Sequence, residues 1–262
     1  MRLLTSLFIL LLARAGFASE PALTNTLPFL VGEQLVYDIH WGVFNVGQTK
    51  VTTAWTNYHG RTALRIRYVT KTNKFVAKFY PVNDIIESMI DPETFRPYYF
   101  IKRLSEGRYR ADEITTFDFH KLEMRWESKL NGRVKTLPID KDTRDIVTMM
   151  YYMRGSPFAA GSTNQYRVMA DEKLYDLFIT TRDTETMKFE RWGRLKSYRV
   201  EPEAAFKGLF ERKGKITFWV SQDPRQLCTF VMAQVPVANI RITLSDVKGP
   251  GDDFWVTKKE GR

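Results

Sequence analysis

Cysteine is almost missing from this chain and histidine is scarce: of 262 residues one is Cys (Cys228) and three are His (His40, His59 and His120). A single thiol cannot staple a fold, so an internal disulfide framework is excluded and stability must come from a hydrophobic core. The His and Cys residues form no His-x-Glu-x-x-His, His-x-His or Cys–His cluster, which leaves a metal site without support and implies no cofactor. A Gly-x-Ser-x-Gly nucleophile elbow is also absent. With its neighbours Leu227, Thr229 and Phe230, Cys228 reads as a small buried hydrophobe on a strand, not as a nucleophile.

Long apolar runs are lacking too. The longest opens the chain, where Arg2 precedes Leu3–Leu12 and small residues follow, with Gly16 and Ala18 in the −3 and −1 positions of a signal-peptidase site. A bilayer span needs about 20 apolar residues, so residues 1–18 read as a secretory leader cleaved after Ala18, with an uncleaved anchor as the alternative. No Cys stands at the cleavage site, which argues against a lipoprotein anchor. Removing residues 1–18 leaves 244 of the 262 residues and, with Arg2 and Arg14 gone, takes the net charge from +10 to +8. The expected mature chain is exported to the periplasm or secreted, and has no transmembrane helix. Its excess positive charge is interspersed with acids, which favours solubility and also anionic partners such as lipid head groups. Nucleic acid is not an expected partner, because no nucleic-acid-binding motif is present.

What the chain has in quantity is period-two alternation. In Leu35–Trp41 the odd positions are apolar or aromatic while Asp38 and His40 fall on the even ones. Leu64, Ile66 and Tyr68 alternate with Arg65 and Arg67, and Leu122, Met124 and Trp126 with Glu123, Arg125 and Glu127. One buried and one wet face per strand means antiparallel sheet. Turn signals such as His59-Gly60, Glu106-Gly107, Asn131-Gly132 and Asp223-Pro224 divide the runs into about a dozen strands. The fold class is therefore all-β: an antiparallel curved sheet or barrel-like β domain over residues 32–250. A flexible segment, 19–31, precedes it and a tail, 251–262, follows.

One segment breaks the pattern. Ile146, Met149, Met150 and Met153 lie at helical spacing, predicting a central helix over 142–154 with Asp140 or Asp142 as N-cap and Gly155 as the stop. The flanks of this helix resemble each other: Gly60-Arg61 answers to Gly193-Arg194, Asp91-Pro92 to Asp223-Pro224, Gly32 to Gly161, and Phe75 and Phe79 to Phe206 and Phe210. Duplicated halves, 32–139 and 161–250, are one reading; chance likeness among alternating sequences is the other.

A resemblance covers most of the chain. Gly32-Glu33-Gln34-Leu35-Val36-Tyr37-Asp38-Ile39 with Trp41-Gly42-Val43-Phe44-Asn45-Val46-Gly47 resembles the opening of an exported bacterial family, domain of unknown function 3108 (DUF3108). Lys78-Phe79-Tyr80-Pro81-Val82-Asn83-Asp84, Glu106-Gly107-Arg108-Tyr109, Asp145 with Tyr151-Tyr152-Met153-Arg154, and Trp219-Val220-Ser221-Gln222-Asp223 follow in the family's order. Thr148 and Cys228 depart from it, standing where the family usually has Ser and Pro. The resemblance implies an exported β-rich fold and no chemistry.

Candidate site residues come from two groups. Asp84 and Asp145 each sit among apolar neighbours; buried together they would suit the acid–base pair of a glycosidase. The favoured reading is that each binds backbone N–H groups or pairs with Arg, and Glu33 and Asp38 take the same reading. The second group is aromatic: Tyr37, Trp41, Phe44, Trp55, Phe75, Phe79, Tyr80, Tyr98, Phe100 and Trp219. On the concave face of a curled sheet such rings either fill the core or line an apolar site. The expected ligand-binding set is Tyr37, Trp41, Phe79, Tyr80, Asp84, Tyr98 and Trp219, and no catalytic residue is expected. The leading functional expectation is a periplasmic binding or carrier protein for a lipid-like or envelope-glycan ligand. The alternatives are an envelope adaptor that binds a protein through exposed sheet edges, and a cell-wall polysaccharide hydrolase using Asp84 and Asp145. The central helix argues against an outer-membrane barrel.

Overall fold

The computed structural model describes residues 27–204, 215–234 and 239–250. The first eight strands are β1 (Gln34–Trp41), β2 (Phe44–Tyr58), β3 (Arg61–Thr72), β4 (Asn83–Ile90), β5 (Pro97–Glu106), β6 (Tyr109–Asp118), β7 (Glu123–Ser128) and β8 (Val134–Pro138). A two-residue strand β9 (Arg144–Asp145) leads into helix α1 (Ile146–Tyr152) and a 3-10 turn (Met153–Gly155). Six strands follow: β10 (Thr163–Ala170), β11 (Lys173–Phe189), β12 (Gly193–Ala204), β13 (Lys215–Ser221), β14 (Cys228–Gln234) and β15 (Asn239–Lys248).

All fifteen strands belong to one sheet, ordered β8-β7-β6-β5-β4-β3-β2-β1-β15-β14-β13-β12-β11-β10-β9. Consecutive strands other than β8 and β9 are hydrogen-bonded neighbours, as short turns require, and β1 meets β15 through Gln34↔Lys248 to Trp41↔Ile240. Every pairing is antiparallel except β9 with β10. The alternation explains the faces. Leu64 and Ile66 are fully buried on the inner side of β3, and Met124 and Trp126 on β7, while Arg65, Arg67, Glu123 and Arg125 stay at least partly exposed.

The sheet curls on itself. Ser88 of β4 donates a 2.7 Å hydrogen bond to Asp145 of β9, although β9 ends the sheet ten strands away from β4. Lys102 of β5 pairs with Asp171 in the β10–β11 turn, and Arg133 with Glu172 at 2.8 Å. No backbone ladder joins β8 to β9 among the described residues, so the closure is made by side chains and the body is barrel-like, not a sealed barrel.

Helix α1 lies inside the curl. Val147, Tyr151 and Tyr152 enter one buried cluster with Leu35, Leu64, Ile66, Leu227 and Leu244. Met149 enters a second with Val168, Leu177, Ile179, Val200 and Val220. The helix starts later than the spacing predicts. Its N-cap is Asp145, whose carboxylate accepts from the N–H groups of Val147 and Thr148, both at 2.9 Å, because Arg144 and Asp145 are first drawn into the sheet beside β10. Asp140 instead caps the preceding turn through Asp142 and Thr143.

The strands on either side of α1 run to similar lengths, 8, 15, 12, 8, 10 and 10 residues for β1–β6 against 8, 17, 12, 7, 7 and 10 for β10–β15. Gly60 (φ 84°) and Gly193 (φ 72°) both take the left-handed conformation in the turns closing the two longest hairpins. Phe206 and Phe210 lie outside the described residues. The two sets are joined by the β1–β15 pairing and share the cluster around α1.

Candidate functional site

The curl is not completely filled. Beside α1 a cavity of about 210 Å³ remains, walled by Ile146, Met149, Met150 and Met153 of the helix region and by Leu177, Ile179, Val200, Pro202, Phe218 and Val220 of β11–β13. Leu35, Tyr37, Tyr68, Tyr151, Phe158, Leu227 and Cys228 complete the wall, with Arg154 and Gln226 at its polar end. Engineered apolar cavities of about 150 Å³ take up benzene or xenon, so a space of this size and lining can hold an apolar group. The flexible thioethers of the three methionines let the wall adapt to its shape.

The polar end is built around Glu33, which is fully buried ahead of β1. Its carboxylate receives both terminal nitrogens of Arg154, one of them at 3.1 Å, and Nη2 of Arg225 at 2.8 Å. The Tyr151 hydroxyl donates to it at 3.4 Å. Arg154 also donates from Nε to the Arg225 carbonyl at 3.0 Å, and its guanidinium lies 5.0 Å from the ring centres of both Phe29 and Tyr151. Burial pushes the Glu33 carboxyl upward, but Arg154, and after it Arg225, outweigh burial and hold it below its usual range. Both partners are therefore charged and mutually satisfied, as a buried pair must be.

Burial likewise drives the hydroxyls of Tyr37, Tyr68 and Tyr151 well toward the protonated form. Tyr37 is about nine-tenths buried, and both it and Tyr68 line the cavity. Two side chains that carry O–H donors therefore belong to the cavity wall. Cys228 shares the wall; burial pushes its thiol up to about 12, so it is not a thiolate at neutral pH.

The expected site residues fall in different places. Tyr37 lines the cavity. Trp41 and Tyr80 are exposed and border a separate shallow depression of about 250 Å³ at the sheet rim, and Phe79 is exposed beside Phe75. Tyr98 stacks on Tyr58 with ring centres 5.1 Å apart. Trp219 points away from the cavity that its neighbours Phe218 and Val220 line; it contacts Phe230 and donates to Glu185 at 2.8 Å. Asp84 accepts from the Ser105 backbone N–H at 2.8 Å.

Asp145 is fully buried and accepts from Thr148 Oγ1 and Ser88 Oγ as well as from the helix N–H groups. Burial raises its carboxyl despite those bonds. Asp84 and Asp145 thus each bond to the protein's own framework. His59 and His120 are exposed and His40 half-buried. No group of three or more metal-ligating side chains occurs among the described residues.

The residues not anticipated as a site are Met149, Met150 and Met153, Leu177, Ile179 and Val200. The methionine spacing marked a helix, but nothing in it told which face would meet a void.

A curled β sheet whose ends are joined by side chains, holding a short helix with an apolar cavity beside it, defines the class: a barrel-like β protein. The chain belongs to the family described as "Protein of unknown function (DUF3108)", whose model matches residues 36–245. In structure it is similar to a beta-barrel-like protein of the DUF1849 family from Brucella abortus, with a TM-score of 0.55 at 9% identity, over 84% of this chain and 98% of that one. A DUF1089 family protein from Pseudomonas aeruginosa is more distant, with a TM-score of 0.36 at 11% identity over 76% of this chain and 93% of that one. No curated protein matches the chain.

Proposed function

We propose that this protein is an exported carrier that holds a small apolar ligand, or the apolar end of a lipid-like one, in the chamber beside α1. The observation that carries the reading is the unfilled space of about 210 Å³ walled by aliphatic and thioether side chains, with Tyr37 and Tyr68 also on the wall. Interiors are normally packed to crystal density, and leaving such a void costs stability unless something occupies it. One acceptor oxygen on an otherwise apolar molecule matches the two donors. Arg154 is already neutralised by Glu33, which favours a neutral polar group over a free anion. Export rests on the leader-like residues 1–18. Among the described residues no helix is long and apolar enough to cross a membrane.

The adaptor alternative has less behind it. The free edge of the sheet at β8 is five residues long, carries Lys135 and ends in Pro138, features that discourage strand addition. Native mass spectrometry of protein prepared from its host without detergent tests the carrier reading. An apolar molecule bound one to one, lost from Val200→Phe, is expected; empty protein that no apolar compound stabilises would contradict it.

A further inference from the structure

We propose that the rim of the sheet formed by the β1–β2 turn and the β3–β4 connection seats on an anionic lipid surface. Four side chains there project almost fully into solvent: Val43 (79% exposed), Phe44 (74%), Phe75 (69%) and Phe79 (77%). Trp41 and Tyr80, each about half exposed, flank them. A water-soluble domain rarely leaves this many large apolar groups together, and such a patch marks an interaction surface.

The patch is a built platform. Asn73 accepts from the N–H groups of Phe75 and Val76 and donates to the Asn45 carbonyl at 2.7 Å, fastening the β3–β4 connection to the start of β2. Tyr80 lies over Gly107, where an added Cβ would come within 2.7 Å of its ring. The rings are therefore held outward by a fixed backbone.

Charge selects the partner. Lys71, Lys74 and Lys78 are exposed within the same segment and form no ion pair among the described residues. In the same segment Asp84 is buried and bonded to the Ser105 N–H, and on β1 Asp38 accepts from Gln48. Apolar rings that enter the acyl boundary, Trp and Tyr at head-group level, and lysines beside them are the composition of a surface that binds anionic bilayers. A protein partner would more often meet such rings in a concave patch with paired charges.

The rim and the chamber lie along the same strands. On β1 and β3 the chamber-lining residues Leu35 and Tyr37, and Tyr68, are followed along the strand by Ile39 and Trp41, and by Thr70 and Thr72. Those four border the rim depression. The docking does not rest on the carrier reading.

Flotation with vesicles of phosphatidylcholine alone, and of phosphatidylcholine mixed with phosphatidylglycerol, tests the docking. Binding to the mixed vesicles that weakens with salt is expected. It should fall by at least about tenfold in Phe75→Ser/Phe79→Ser, lose its salt dependence in Lys71→Glu/Lys74→Glu/Lys78→Glu, and be unchanged in Trp55→Ser, which alters an exposed ring near the other end of β2. All substituted side chains are exposed, so thermal midpoints should stay within a few degrees and verify folding. The N-terminal apolar run is common to every variant, so the differences read the rim alone. Equal binding by wild type and Phe75→Ser/Phe79→Ser, or none to either vesicle, overturns the proposal. So does stoichiometric, Phe75- and Phe79-dependent capture of one envelope protein without vesicle binding. Loss of docking with ligand uptake in solution intact would leave the carrier reading standing.

Discussion

Glu33→Gln keeps the shape of the side chain and removes the negative charge that Arg154 and Arg225 face. Glu33 is fully buried and Arg154 nearly so, 121 residues apart in sequence, with Arg225 a further 71 residues on. Breaking a buried pair by deleting one partner leaves an uncompensated charge in a poor solvent and costs about 3–5 kcal/mol. Against a total stability of roughly 5–15 kcal/mol, that is a loss urea unfolding resolves easily: at a slope of ~3 kcal/mol/M the midpoint falls by about 1–2 M.

A second feature separates charge from shape. The folded Glu33 carboxyl titrates below its usual 4.5, so the native state binds fewer protons than the unfolded chain in that region. The pair's contribution is complete above about 4.5 and drains away as pH falls through the lower native value. Glu33→Gln should therefore lose most at neutral pH and converge on wild type in acid. Adding Arg154→Met should restore part of the loss by removing one stranded guanidinium. A penalty below about 1 kcal/mol, or one independent of pH, would refute the idea that this cluster is a dry, paired anchor.

Asp145→Ala removes the α1 cap and the acceptor of the buried Ser88 and Thr148 hydroxyls, which keep only their bond to each other, with an expected loss of about 2–4 kcal/mol by denaturant unfolding. Asp145→Asn, still a capping residue, should cost less. Val200→Phe inserts a ring into the chamber; a filled core would suffer by about 1–3 kcal/mol, whereas here thermal stability should hold or rise while ligand uptake is lost. Cys228, with its thiol pushed up to about 12, should react with a maleimide at pH 8 on the order of 10³-fold more slowly than a free thiol, and more slowly again with the chamber occupied. Mass spectrometry of the labelled protein reads this directly.

Much of the fold was legible because period two is a local signal. Leu35–Trp41, Leu64–Tyr68 and Met124–Trp126 alternate as β1, β3 and β7 do. β9 was not legible, since two residues carry no periodicity, and that shifted the helix start from Asp140 or Asp142 to Asp145. The site was harder to read. Alternation tells which side chains share a face, but not how far along a strand the curled interior ends and the rim begins. Tyr37 and Trp41 share a face of β1, yet one lines the chamber and the other stands at its edge. Trp219 sits one residue from cavity-lining neighbours and faces the other way. The meeting of Glu33, Arg154 and Arg225 is set by tertiary closure alone, and no spacing foretells it.

Thermal unfolding with uncharged n-alcohols of increasing chain length probes the chamber most directly. A ligand bound to the folded state alone raises the midpoint with concentration. The gain should grow with chain length, stop once the chain outgrows about 210 Å³, and vanish in Val200→Phe. No stabilisation at any length, or an equal response from Val200→Phe, would mean that the space beside α1 is not a binding site.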